Sequence, residues 1–124
     1  MSETTQPDRP AAALTPLHYR AIRQASGLTQ AQIAARFEVT DRSVRRWETS
    51  HNPPAEVVDW VAKCWADVRA VAAEVGQEHP TDVWSITLPL VAPGLEDYPT
   101  NVGETATRLA MGILEIDGMT VTIE

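Results

Sequence analysis

Between Thr15 and Gly76, residues that start and stop helices follow one another so closely that the chain is divided into four helices joined by short connections. Thr15 can accept a hydrogen bond from the first turn of a helix, and Pro16 takes the position where a missing N–H does no harm. Gly27 supplies a left-handed stop, which predicts a first helix over Pro16 to Ser26. Thr29 and Gln32 form a T-x-x-Q capping box ahead of Ile33, Ala34 and Phe37, so a short second helix ends near Phe37. Thr40 is another N-cap, with Asp41 suited to the helix dipole and Val44 and Trp47 three apart, and a third helix of about nine residues follows. Asn52, Pro53 and Pro54 open a fourth, in which Val57, Val61, Cys64, Val68, Val71 and Val75 alternate spacings of four and three before Gly76 closes it. Trp60 and Trp65 widen that stripe. At roughly 22 residues the helix outruns a four-helix unit, so its far half packs on the C-terminal segment, on a second copy, or within an ordinary intrachain core.

From His79 onward the character changes. Val83 to Leu88 alternate and are rich in β-formers, and Pro89, Pro93, Gly94 and Pro99 interrupt any regular element beyond them. Asn101 and Glu104 are placed to cap a helix whose Val102, Ala106, Leu109, Ala110, Ile113 and Leu114 share one face, with Gly118 as its stop. Met119 to Ile123 make a last strand. Two strands alone form a marginal sheet, which points to a partner chain completing this end. The expected architecture is mainly α with a small α+β C-terminal unit. It comprises a disordered leader over 1–14, a helical domain with a long fourth helix over 15–76, and a strand-helix-strand dimerisation region over 77–124.

Composition narrows the function. The 124 residues are 44% hydrophobic and 22% charged, the profile of a soluble globular protein, and no apolar run approaches the ~20 residues of a membrane span. Met1 to Leu14 have no basic start followed by an apolar stretch, so no targeting signal is read there. The single cysteine, Cys64, excludes an intramolecular disulfide, and His18, His51 and His79 lack metal-ligand spacing; a cytoplasmic protein without structural metal fits best. With the histidines far apart, Cys64 on an apolar stripe and no glycine-rich phosphate loop, neither an enzyme nor a cofactor is expected. A net charge of −7 taken whole argues against a nucleic-acid partner. It is unevenly divided: residues 1–52 hold seven Lys+Arg and five Asp+Glu, or +2, and residues 53–124 hold three and twelve, or −9.

The second and third helices have the pattern that two short helices joined at a steep angle require. Ile33, Phe37, Val39, Val44 and Trp47 fall where burial is needed, and Ala34 is small where the helices approach. Arg23-x-x-x-Gly27-Leu28-Thr29-Gln30, then Ile33-Ala34, then Val39-Thr40-x-x-Ser43-Val44-x-x-Trp47-Glu48 resembles the lambda-repressor/xenobiotic-response-element-type helix-turn-helix family over residues 15 to 62. Glu38 departs from it, standing where the family usually has a glycine with positive φ. The resemblance implies that the third helix reads double-stranded DNA, with Thr40 at its start, Asp41, Arg42 and Arg46 toward base edges, and Ser43 and Arg45 toward the backbone. It implies a phosphate contact for Gln30, and a structural salt bridge between Arg23 and Glu48. Independently of the family, Arg42 and Arg46 lie four apart on one helical face, and guanidinium forks suit guanine O6/N7; a solvated charged face is the alternative. Gln30 also suits a helix first turn as plain polarity. Asp41 can accept from cytosine N4 or simply serve the helix dipole.

The C-terminal half resembles, in the order of its elements, anti-CRISPR-associated autoregulatory repressors, which implies that it forms the dimer. One recognition helix reads few base pairs, so two copies about 34 Å apart on a palindromic operator are expected. The leading reading is a homodimeric repressor. The alternatives are an antitoxin-type regulator whose acidic half binds a protein, and an interaction protein that does not bind DNA.

Overall fold

A computed structural model describes residues 15–77 and 84–124. The leader expected over 1–14, together with His79 and Val83, lies outside the described residues. The elements are α1 (Pro16–Ser26), α2 (Gln30–Phe37), α3 (Asp41–Trp47), α4 (Ala55–Gln77), β1 (Ser85–Leu88), α5 (Thr100–Ile116) and β2 (Thr120–Ile123).

Local hydrogen bonding accounts for the first three helices. The Thr15 hydroxyl accepts from the His18 N–H, and Gly27 ends α1 at φ 86°. Both halves of the α2 box form, with Gln32 N–H donating to Thr29 Oγ1 at 3.1 Å and Thr29 N–H to Gln32 Oε1 at 2.9 Å. The Thr40 hydroxyl caps α3 by accepting from Ser43 N–H. α3 has seven residues rather than about nine, because the Arg46 carbonyl accepts from the N–H groups of Thr49, Ser50 and His51 and the chain turns away at once.

The core begins with Tyr19, Leu28, Ile33, Ala34 and Val44, with Phe37, Val39 and Trp47 half-buried against it. It continues without a break through Val57, Val58, Val61, Cys64 and Val68 of α4 to Ala92, Leu95, Val102 and Ala106. The far half of α4 therefore packs on α5 of the same chain. Past Val68 the buried face passes to Ala72 and Gly76, while Val71 and Val75 are half-buried, so small residues lie where Ala110 and Leu114 of α5 come close. Gly76 does not close α4, which runs to Gln77. A Cβ at Gly76 would stand 3.2 Å from Ile113 Cγ2, so this glycine permits a close helix approach.

One further expectation is corrected. Asn101 does not cap α5: the helix starts at Thr100 after Pro99 with no side-chain cap. The Asn101 amide instead donates to the Gly27 carbonyl and to Gln32 Oε1, while Gln32 Nε2 donates to Asn101 Oδ1 at 2.7 Å. The helix lacks a local cap because its N-terminal turn is anchored over the α1–α2 connection. The two strands, for their part, pair with each other. They are parallel, with Ser85 opposite Thr120 and Leu88 opposite Ile123, and α5 is the crossover. Leu88, Ala110, Leu114 and Met119 bury the inner face of this βαβ unit against Ala72.

Burial also fixes the alkaline behaviour of the core. The Tyr19 hydroxyl is buried without a hydrogen-bond partner among the described residues; desolvation, with the nearby Glu48 charge, pushes its pKa from 10.0 up to about 12. Burial likewise pushes the Cys64 thiol from 9.0 to about 12. Both groups stay protonated in the fold after the unfolded chain has released its protons. Their contribution is therefore intact below pH 9 and is lost as pH rises toward 12. Urea midpoints measured across this range should fall, and Cys64→Val should move the onset of the fall toward pH 10, where Tyr19 remains.

Candidate nucleic-acid interface

The seat of α3 is built around one carboxylate. Glu48, the residue that ends α3, is 6% exposed. Its Oε2 accepts from Arg23 Nε at 2.5 Å, and its Oε1 accepts from Arg23 Nη2 at 3.2 Å and from Gln30 Nε2 at 3.1 Å. Arg20 Nε stands 3.9 Å from the same oxygen. The third donor group of Arg23, Nη1, reaches the Leu28 carbonyl at 2.6 Å. The guanidinium fork thus meets a carboxylate in parallel and a backbone oxygen on its other side, the arrangement that satisfies a buried arginine. Side chains from α1 and α2 converge on the end of α3, and its angle to the other helices is set by hydrogen bonds as well as by Ile33 and Val44.

On this seat α3 presents its polar side chains outward. Asp41, Arg42, Arg45 and Arg46 are exposed, and among the described residues none of these three arginines is in a salt bridge. Asp41 sits in the first turn, and Arg45 and Arg46 in the last, each on the side the helix dipole favours. The hydroxyls of Thr40 and Ser43 are 3.1 Å apart and share the cap. Gln30 stands at the first position of α2, where its side-chain amide turns to Glu48. Six of the seven residues singled out from the sequence therefore lie on α3 or its cap, and the seventh lies on the helix that braces it.

Sequence reasoning passed over His51. The structure places its Nε2 3.2 Å from Arg46 Nη2 and its Nδ1 2.8 Å from Ser50 Oγ. With Ser43, Arg46 and Trp47 it lines a cleft of about 150 Å³ at the end of α3. The available signal was its place five residues beyond Arg46, just past the helix end.

The turn between α2 and α3 carries strain. Glu38 adopts φ 55° and is the sole non-glycine residue with positive φ among the described residues. Glu38→Gly relieves a cost of about 1 kcal/mol, offset in part by a more flexible unfolded chain, so a gain of up to about 1 kcal/mol is expected in urea unfolding. Glu38→Val should lose stability.

Among the described residues, no helix is long and apolar enough to cross a membrane, and no cluster of metal-ligating side chains occurs. Residues 20–62 match a family model described as helix-turn-helix, of the lambda-repressor-like kind. No curated protein and no solved structure matches the chain.

Proposed function

We propose, from the helix-turn-helix over residues 20–62, that this protein is a cytoplasmic, homodimeric repressor that reads a palindromic operator through the major groove with α3. Its own promoter is the first candidate operator. The observation that carries the reading is the group of three exposed arginines, Arg42, Arg45 and Arg46, on a helix locked in place through Glu48. Arg42 and Arg46 address guanine O6/N7, and Asp41 addresses cytosine N4 or serves the dipole. Arg45 and Ser43 lie toward phosphates beside the Thr40 cap. Gln30 meets a phosphate at the N-terminus of α2.

Dimerisation is supported by the C-terminal surface. Trp84 is 71% exposed, Leu90 52% and Ile116 86%, apolar side chains that a second copy would cover. A two-stranded sheet also has open edges that a second copy can cover. The −9 charge of residues 53–124 keeps this half from competing for phosphate.

Selection of bound duplexes from a random pool, with light scattering for mass, tests the proposal. An inverted repeat and a mass of two chains are expected; a monomer on an asymmetric site overturns the dimer. Arg46→Ala should lower affinity for the selected site by about 1–3 kcal/mol and affinity for random DNA by less. Arg45→Ala should weaken both and reduce the salt slope by roughly 0.9.

A further inference from the structure

We infer that His51 is a positioning residue for DNA recognition, holding the Arg46 guanidinium in one pose before DNA arrives. This deepens the DNA-binding reading above and rests on it.

The geometry follows from how α3 ends. Three consecutive N–H groups, those of Thr49, Ser50 and His51, bond to the Arg46 carbonyl at 3.2, 3.0 and 2.9 Å. The chain is thereby folded back so that the ring of His51 lies beside the side chain of the residue whose carbonyl it bonds. A guanidinium has only donors, so Nε2 at 3.2 Å from Arg46 Nη2 is the unprotonated ring nitrogen. The proton is then on Nδ1, which donates to Ser50 Oγ at 2.8 Å. The guanidinium selects this tautomer, and the Ser50 hydroxyl, able to donate or accept, accommodates it. Trp47 and Ser43 wall the same cleft.

The bond to His51 uses one of the five guanidinium N–H groups and leaves a fork free for a base edge. Arg42, one turn earlier, has no side-chain hydrogen bond among the described residues, so it must be ordered by the DNA itself. The two arginines are therefore unequal readers: Arg46 discriminates from a preset pose and Arg42 adapts. Presetting one long side chain removes an ordering cost that corresponds to a factor on the order of 3 to 10 in binding.

The test uses the full chain, the duplex it selects from a random pool, and a scrambled duplex of equal length. His51→Leu should reduce the preference for the selected duplex on the order of 3- to 10-fold, relaxing choice at the base pairs that Arg46→Ala also relaxes. Its salt slope and thermal midpoint should stay as in the wild type. His51→Gln, whose Oε1 can take the place of Nε2, should restore most of the preference. Undiminished preference in His51→Leu overturns the inference, as does failure of His51→Gln to restore it. Equal loss on both duplexes with a shallower salt slope identifies a phosphate contact instead and also overturns it. If the wild-type chain prefers no duplex, the DNA-binding reading itself fails and the role of His51 falls with it.

Discussion

Glu48→Ala is expected to lower stability by about 3–5 kcal/mol, because it leaves Arg23 as a buried cation with no counter-charge. Arg23 Nε and Nη2 and the Gln30 amide all lose their acceptor, and only the Leu28 carbonyl still receives the guanidinium. For a domain whose whole stability is about 5–15 kcal/mol, this is a large fraction, and a fall of roughly 10–20 °C in thermal midpoint should accompany it. DNA binding should fail at temperatures where the wild type still binds. The control is a pair of apolar replacements: Arg23→Met with Glu48→Leu should be less destabilised than either single variant, since neither charge is left alone. Simple additivity in urea unfolding would show that the two side chains are not coupled and that the account of the α3 seat is wrong.

Gly27→Ala is the second large effect, from two independent causes. The residue has φ 86°, where a side chain costs about 1–2 kcal/mol. A Cβ there would also run into Thr105 Oγ1 and lie 3.0 Å from the Asn101 carbonyl oxygen. Thr105 cannot simply swing aside, because its hydroxyl donates to that same carbonyl at 2.8 Å. Overpacking of this kind costs about 1–3 kcal/mol, so a total of roughly 2–5 kcal/mol is expected by denaturant titration. Gly27→Ala with Thr105→Ala should recover the packing part and leave the backbone part. No recovery would mean that the collision is absorbed elsewhere.

These two sites differ in how far the sequence announced them. Thr15, Thr29, Gln32 and Thr40 act on N–H groups three residues away, so their roles could be read directly from the order of residues, as could the α1 stop at Gly27. The Arg23–Glu48 pair spans 25 residues and was legible only through resemblance to a family. Asn101 shows the limit. Its local context, three residues before Glu104, spells a cap. Its partners, however, are 69 and 74 residues away, where the geometry of an inter-helix contact outcompetes a local bond. Gly76 was misread for the same reason, since what it serves is Ile113 on another helix. The stripe on α4 marked a buried face correctly but held no record of what covers it. At the candidate interface the arginines stood out by type and spacing. His51 did not, because the turn that brings it back to Arg46 is made by backbone N–H groups that carry no residue signature.

The clasp between Asn101, Gln32 and Gly27 has a consequence for the order in which the chain is made. Residues 15–62 leave the ribosome first, yet the seats on their core are filled by Ala92, Leu95, Val102 and Ala106, and their α1–α2 connection is pinned from α5. A domain generally folds as a unit once its chain is available, and here that unit reaches from Tyr19 to Ala106. The half that would read DNA is synthesised before the α5 residues that pin its α1–α2 connection, so a product ending before α5 carries the Glu48 seat of the arginines without that clasp.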